Sequence, residues 1–196
     1  MIRRRRNFIS DIKQEDGSWI SGREAIQEYF NTNYQSLYWS SRPQIPENLK
    51  NLIDACVSIE KNVELCRIPT REEVKKAIFG IKSLKSPGPN GLPTLFYEHY
   101  WEIFGDQVTL AIQGFFRHGK LLQEFNNTFI VFIRKKNGAC NFNQFRPISL
   151  CDVVYKAISK ILVGRLRPLL DKMLDSTQVA FVPSRCITKT LCWHKR

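Results

Sequence analysis

Apolar residues recur at helical spacing along three stretches of the chain. The most regular stretch follows Thr70-Arg71-Glu72-Glu73, which has the form of a capping box. Its stripe occupies one helical face for three turns and consists of Val74, Ala77, Ile78, Ile81 and Leu84. A similar stripe follows the capping-box sequence 21–24 and extends to about Tyr38. Another follows Asp152 and extends to Leu166. We predict a helix at each place and interpret the stripes as core-facing.

Prolines and glycines divide the region between these stretches. Pro93 suits the first turn of a helix that runs through Trp101 to Gly105. Asp106 is placed to cap a further helix, which Gly119 would end. A less regular apolar pattern over residues 49–57 suggests one more helix. The chain before Gly119 is therefore predicted to be mostly helical.

The pattern changes near residue 128. Residues 128–133 are a β-branched and aromatic run, and 145–150 form a second extended segment in which Pro147 limits pairing, as at a sheet edge. A basic turn over 134–138 joins the two. We predict an α+β fold, dominated by helices, with a short antiparallel strand pair at about 128–134 and 145–150.

Basic residues are unevenly distributed over the chain, whose net charge is +12. Residues 1–100 carry 15 Lys/Arg against 12 Asp/Glu, whereas residues 101–196 carry 15 against 6. A positive excess of this size favours approach to a phosphate backbone. An ordinary basic domain would have the same composition, so charge alone leaves both interpretations open.

Cysteine and histidine spacing excludes familiar metal motifs. The six cysteines include no C-x-x-C pair, and the three histidines have no ligand-like spacing to them. We expect reduced thiols, with neither a zinc site nor a disulfide framework. No apolar stretch approaches the roughly 18 residues of a membrane span, and no apolar segment follows the arginines at 3–6. An intracellular protein without membrane contact is expected, in either the nucleus or the cytoplasm.

Three motifs occur in order along the chain. Residues 85–93 read KSPGPNGLP, residues 145–151 read FRPISLC, and residues 178–185 read QVAFVPSR. Together they resemble the front part of the reverse transcriptase domain of LINE-type (non-LTR) retrotransposons, over about residues 68–188. A weaker likeness covers residues 7–38, where Asp16-Gly17-Ser18-Trp19 resembles the stretch that joins the element's endonuclease to its polymerase.

The resemblance implies a fold and partners. In this family the matched region forms the helix-rich α+β fingers of a right-hand polymerase and the entrance to its palm. The implied partners are an RNA or DNA template with its primer, and a deoxynucleoside triphosphate (dNTP). By resemblance, Arg146 and Lys135 would bind the phosphates of the dNTP, and a guanidinium beside Pro147 on an extended segment suits bidentate phosphate binding. The alternatives stay open: Arg146 in a salt bridge that fixes its strand, and Lys135 in a solvated turn.

Other residues of the matched region have less specific roles. Lys136, Lys156 and Lys160 would follow a nucleic-acid backbone or form a solvated polar surface. The first motif supplies a loop in which prolines fix φ and glycines permit tight turns. This motif loop consists of Pro87, Gly88, Pro89, Asn90 and Gly91.

The chain departs from the family's pattern at several positions. Asn90 replaces the usual aspartate, Arg134 stands where a proline is common, and Ser184 replaces a glycine. Residues 189–196 no longer follow the family. The predicted organisation is a helical segment and linker over 1–45, a partial reverse transcriptase domain over 46–188, and an aberrant tail over 189–196.

We expect no catalysis from this chain by itself. The family transfers nucleotides with Mg²⁺ ions bound by palm aspartates that lie beyond the matched region. The chain has no adjacent pair of aspartates, and Asp171 and Asp175 share a helix face without a third ligand. We predict that the chain is a truncated, inactive polymerase fragment. It should contain no catalytic residue and no metal site, and it should bind no cofactor. The alternative is a non-catalytic basic module that binds nucleic acid.

Overall fold

The computed structural model describes residues 8–40, 42, 44, 56–175, 178, 179, 182 and 185. These residues combine helices with two small two-stranded sheets. They cluster into two compact units: unit 1 takes residues up to 50 together with 130–149, and unit 2 takes 51–129 together with residues from 150 onward. The division at residues 45 and 188 that the sequence suggested stays a prediction.

Unit 1 begins with a β-hairpin. Strands β1 (Asp11–Lys13) and β2 (Trp19–Ser21) pair in antiparallel fashion. Asp16 stabilises the turn, because its Oδ1 accepts hydrogen bonds from the backbone N–H and the hydroxyl of Ser18 at 2.9 and 2.7 Å. The hairpin was not predicted from the sequence, since three-residue strands are too short to show an alternating pattern.

Helix α1 (Arg23–Tyr38) follows, and its start corrects the first capping-box prediction. Ser21 lies at the end of β2, and its hydroxyl donates to Asp11 Oδ1 at 2.6 Å. Gly22 takes the N-cap position, without a side-chain hydrogen bond. The hydroxyl that would have capped α1 is thus used across the hairpin.

The core of unit 1 is aromatic. Strands β3 (Thr128–Arg134) and β4 (Phe145–Cys151) pair with each other, which confirms the predicted strand pair. Phe30 of α1 packs on Phe132 and Phe145, with ring centroids 4.2 and 5.3 Å away. The other buried members are Ile12, Ile26 and Ala139. The middle of the α1 stripe therefore faces a core, as predicted.

Unit 2 is helical. Its elements are α2 (Ile59–Cys66), α3 (Arg71–Phe79), α4 (Thr94–His99), α5 (Trp101–His118), α6 (Gln123–Asn126), α7 (Val153–Leu166) and α8 (Leu170–Met173). Thr70 caps α3 as predicted, because its Oγ1 accepts from Glu73 N at 3.2 Å. Gly119 ends α5 in the left-handed region, at φ 65°, also as predicted. Asp152 takes the N-cap position of α7, but its side chain accepts no hydrogen bond within the helix.

Two helix predictions in unit 2 are corrected. The break expected near Gly105 and Asp106 lies instead at Tyr100, and α5 continues through both residues. The cause is packing: a Cβ on Gly105 would lie 2.8 Å from the Trp101 indole, so the glycine permits a close contact inside the helix. Of the helix suggested over 49–57, the described residues 56 and 57 are not helical and the rest lie outside the described residues.

The core of unit 2 joins three helices. Its buried side chains come mainly from α3, α5 and α7 and include Val74, Ile78, Trp101, Ile112, Val153, Ala157 and Ile161. Arg165 of α7 joins this framework as an ion pair, with Nε 2.9 Å from Glu73 Oε1 and its side chain 7% exposed. Within the described stretches, no helix has the length and apolar character that a membrane crossing requires.

Candidate phosphate-binding site

The β3–β4 ribbon has one face toward the core of unit 1 and one face away from it. Phe132 and Phe145 both pack on Phe30, so they mark the inner face. Side chains alternate along a strand, which assigns Ile133 and Arg146 to the outer face. Both of these residues are exposed.

Arg146 has the properties expected of an anion-binding group. Its side chain is exposed, and it has no hydrogen-bond or ion-pair partner among the residues that the structure describes. The salt bridge that would have made Arg146 a purely structural residue is therefore not formed within that part of the chain. Pro147 follows on the same strand, so the backbone at this point has little freedom.

Lys135 lies on the same ribbon, just after β3. Its backbone N–H donates to the carbonyl of Gln144 at 2.8 Å, so Lys135 lies across the ribbon from Gln144, which precedes Arg146 by two residues. Its ammonium donates to the carbonyl of Asn143 at 2.7 Å, so the side chain bends back over the turn. Lys136 is exposed and has no partner in the described stretches. Unit 1 therefore brings three predicted site residues to one end of a single β-ribbon.

Arg134 plays a different part, which the sequence did not indicate. Arg134 is half-buried and lies between the exposed residues Ile133 and Lys135. Its Nη2 donates to the carbonyl of Phe8 at 3.0 Å, while its buried Nε has no partner. At the position where the resemblance would place a proline, this chain thus has an arginine that contacts the backbone of Phe8 within unit 1.

The motif loop lies in unit 2, packed on the start of α7. Asn90 N donates to Asp152 Oδ1 at 3.2 Å, and Asn90 Oδ1 accepts from Leu92 N at 3.0 Å. An ideal Cβ on Gly88 would lie 2.2 Å from Asp152 Oδ1 and 2.4 Å from Asp152 N, so a glycine is needed for this approach. The loop is therefore a packing element. Asp152, which the sequence suggested only as a cap, is its main partner.

Tyr97 completes the contacts of this loop. Its hydroxyl lies 3.4 Å from Asn90 Nδ2, and the residue is buried in the core of unit 2. Burial raises the pKa of Tyr97, and the nearby Asp152 carboxylate raises it further against the opposing hydrogen bond from Asn90. The hydroxyl therefore stays protonated and neutral around pH 7.

The two predicted lysines of α7 differ in their surroundings. Lys156 is half-buried and donates to the carbonyl of Ser86 at 3.0 Å, which ties α7 to the residue before the motif loop. Lys160 is exposed, and its ammonium lies beside Gly80 at the end of α3. Lys156 thus has a structural contact, whereas Lys160 is available to a ligand.

Arg185, in the third motif, is structural in the described part of the chain. It donates to the carbonyl of Gln178 at 2.9 Å and to that of Leu174 at 3.4 Å. It also forms an ion pair with Asp171 at 3.2 Å. Asp171 therefore has a cation as its neighbour.

A two-metal centre does not fit the residues that the structure describes. Across 8–40, 56–175 and the further described positions, no group of three or more His, Cys, Asp or Glu side chains converges as metal ligands would. The buried carboxylate of Asp152 accepts from Asn90 N, and Glu73 is paired with Arg165. We therefore derive no metal-dependent step from this part of the chain.

Comparison with known proteins gives one informative relationship. No model of a known protein family matches the chain. Over 184 residues it is 28% identical to an uncharacterized 149 kDa protein of transposon TX1 from Xenopus laevis. The alignment covers 93% of this chain and 14% of that protein, so the chain spans about one seventh of its relative's length. The chain is thus a distant homologue of a transposon-encoded protein, and the relationship points to a transposon-derived sequence.

Proposed function

We propose that the chain is the fingers portion of an RNA-directed DNA polymerase of a LINE-type retrotransposon, and that Arg146 and Lys135 bind the triphosphate of the incoming dNTP. The transposon homology supports the general origin. The three motifs support the finer assignment, because they occur in the order and spacing of that family.

The observation that carries the proposal is the state of Arg146. An exposed guanidinium without an acidic partner in the described stretches, on the outer face of a β-ribbon, is held ready for an external anion. The ribbon itself is fixed by the aromatic core on its inner face. Arginine presents paired N–H donors that match phosphate oxygens, and rigid placement lowers the entropy cost of binding.

The test is the affinity of the 196-residue chain for a fluorescent dNTP. Arg146→Ala should weaken binding about tenfold or more, because a charged hydrogen bond contributes roughly 1.5–3 kcal/mol. Arg146→Lys should recover only part of the loss, since lysine lacks the bidentate geometry. Arg23→Ala removes an exposed arginine of the same unit and serves as the control. Equal affinities for the Arg146→Ala and Arg23→Ala variants would refute the proposed site.

A second candidate function is a non-catalytic module that binds nucleic acid through its basic surface. The observation that favours it is the excess of 15 Lys/Arg over 6 Asp/Glu in residues 101–196. Such a module would bind a nucleic-acid strand in a salt-dependent manner and would show no preference for a triphosphate over a monophosphate. The same dNTP titration, repeated with the monophosphate, separates the two functions.

A further inference from the structure

Unit 2 carries a lysine cluster that the proposed triphosphate site does not use. Lys76 lies in the last turn of α3, Lys82 and Lys85 lie in the turn that follows, and Lys160 lies on α7. We call these four residues the lysine surface. Each is exposed, and none has a hydrogen-bond or ion-pair partner for its ammonium among the described residues.

Two contacts of α7 hold the segment from Gly80 to Ser86 in place. The side chain of Lys160 lies across Gly80, where an ideal Cβ would be 2.3 Å from Lys160 Nζ. One helical turn earlier, Lys156 donates to the carbonyl of Ser86 at 3.0 Å. Both ends of the segment therefore lie against the same face of α7.

Backbone hydrogen bonds bring the remaining lysines to this segment. Gly80 N donates to the carbonyl of Lys76 at 3.1 Å, so Lys76 lies one helical turn before Gly80. Lys85 N donates to the carbonyl of Lys82 at 3.1 Å, which closes a four-residue turn and keeps the two Cα atoms within about 7 Å of each other. Lys76, Lys82 and Lys85 thus lie on or beside one short stretch of backbone, which the side chain of Lys160 contacts at Gly80.

Two carboxylates of α3 lie one helical turn before Lys76: Glu72, and Glu73, which pairs with Arg165 and Arg67. The hydroxyl of Ser83 donates to Glu98 at 3.0 Å, and Glu98 is half-buried. Lys75 provides a contrast within α3, since its ammonium lies 3.6 Å from Glu102. Lys75 is thus paired, whereas the adjacent Lys76 of the same helix has no ion-pair partner among the described residues. Like charges grouped without ion-pair partners repel one another, and a polyanion relieves that repulsion.

We propose that the lysine surface binds the phosphodiester backbone of a nucleic-acid strand. Lysine ammonium groups act as point charges with little geometric demand, and contacts to phosphate carry no direct sequence information, so binding is independent of base sequence. The inference rests on the proposed function in supposing a nucleic-acid partner. It uses neither Arg146 nor Lys135. It joins Lys160, and Lys85 of the first motif, to Lys76 and Lys82, which lie outside the three motifs.

The test compares two triple variants of the full 196-residue chain. One variant, Lys76→Ala/Lys82→Ala/Lys85→Ala, removes most of the lysine surface. The other, Lys61→Ala/Lys120→Ala/Lys172→Ala, removes three exposed lysines elsewhere in unit 2 and causes the same change in net charge. Circular dichroism melts establish that both variants fold. Binding to fluorescein-labelled oligo(U) and to an RNA duplex is measured by anisotropy at several salt concentrations.

The lysine-surface variant should lose salt dependence as well as affinity. On the single strand, the slope of log K against log salt should fall by about 2, because each lost phosphate contact contributes roughly 0.7. The control variant should change the slope by less than half as much. A loss of affinity for the single strand or for the duplex supports the inference and identifies which of the two forms is bound. Equal slopes for the two variants would overturn it.

Further measurements separate this inference from its alternatives. If the lysine-surface variant loses binding to phosphatidylserine vesicles and keeps its affinity for RNA, the partner is a membrane surface and the inference is wrong. If Arg146→Ala leaves dNTP affinity unchanged while the lysine-surface variant loses RNA, the triphosphate site fails and the lysine surface stands. If Arg146→Ala loses dNTP affinity while the lysine-surface variant keeps its affinity for RNA, the triphosphate site stands and the inference about the lysine surface is wrong.

Discussion

Gly88 is the residue that packs the motif loop most tightly. A methyl group at this position would overlap the backbone and carboxylate of Asp152 and the carbonyl carbon of Cys151. Backbone atoms at the start of a buried helix have little room to move, so Gly88→Ala should destabilise the chain by about 1–3 kcal/mol. Urea unfolding measures the change.

Gly164 in α7 provides the matched control. No heavy atom lies within 4 Å of an ideal Cβ there. Gly164→Ala should therefore stabilise the chain, by up to about 1 kcal/mol, through higher helix propensity. If both glycine-to-alanine variants gained stability, the close approach of the motif loop to Asp152 would be disproved.

Glu73 shows how one residue joins several elements. It lies in α3 and accepts from Arg165 of α7 at 2.9 and 3.0 Å, and from Arg67 at 3.0 Å. Arg165 is nearly buried, so loss of its carboxylate partner leaves a charge with poor hydration. We predict that Glu73→Gln costs about 3 kcal/mol of stability. Glu102→Gln, in an exposed pair with Lys75, should cost less than about 1 kcal/mol in the same unfolding assay.

The same ion pair gives a pH dependence. Burial raises the pKa of Glu73, but the hydrogen bond and charge of Arg165, together with Arg67, outweigh burial and leave the pKa below the ordinary 4.5. The stabilisation is therefore complete above pH 4.5 and is lost as the pH falls through the lowered value. Unfolding free energies measured from pH 6 to pH 3 should fall less steeply for Glu73→Gln than for the unchanged chain. Parallel curves would contradict the assignment.

Elements with a regular buried stripe could be predicted from sequence, and others could not. The α3 cap at Thr70, the strand pair and the left-handed Gly119 follow from local chemistry. Helix α2 was missed because it contains no buried residue, so it has no core-facing stripe. The break before α5 was misplaced because Gly105 packs against Trp101, and sequence alone does not separate a packing glycine from a terminating one.

The residues of the candidate site likewise include some that the sequence indicated and others that it did not. The family resemblance indicated Arg146 and Lys135 as phosphate-binding residues and Lys136 as a nucleic-acid-binding one, and all three are exposed. The structural roles of Arg134 and Asp152 depend on contacts with residues distant in sequence, Phe8 and Asn90, which no local pattern reveals. The polymerase fingers fold and the phosphate role of Arg146 stay predictions that the experiments test.

For the whole molecule, we predict no polymerase activity from the 196-residue chain. In-line attack on the α-phosphate needs metal ions bound by converging carboxylates. The sequence has seven aspartates with no adjacent pair, and the described residues form no carboxylate cluster. A primer-extension assay on a homopolymer template, with Mg²⁺ or Mn²⁺, should give no product above a mock preparation. Extension that disappears when any one of the seven aspartates is mutated would show an unrecognised catalytic centre.

The outer face of the β3–β4 ribbon is proposed to bind a triphosphate. Photolabelling with a dNTP that carries a reactive group on its γ-phosphate tests this proposal most directly, with the labelled peptides identified by mass spectrometry. We expect labelling within residues 134–148, competition by unmodified dNTP but not by the monophosphate, and loss of the label in Arg146→Ala with retention in Arg23→Ala. Labelling confined to other peptides, or unchanged in Arg146→Ala, would contradict the claim.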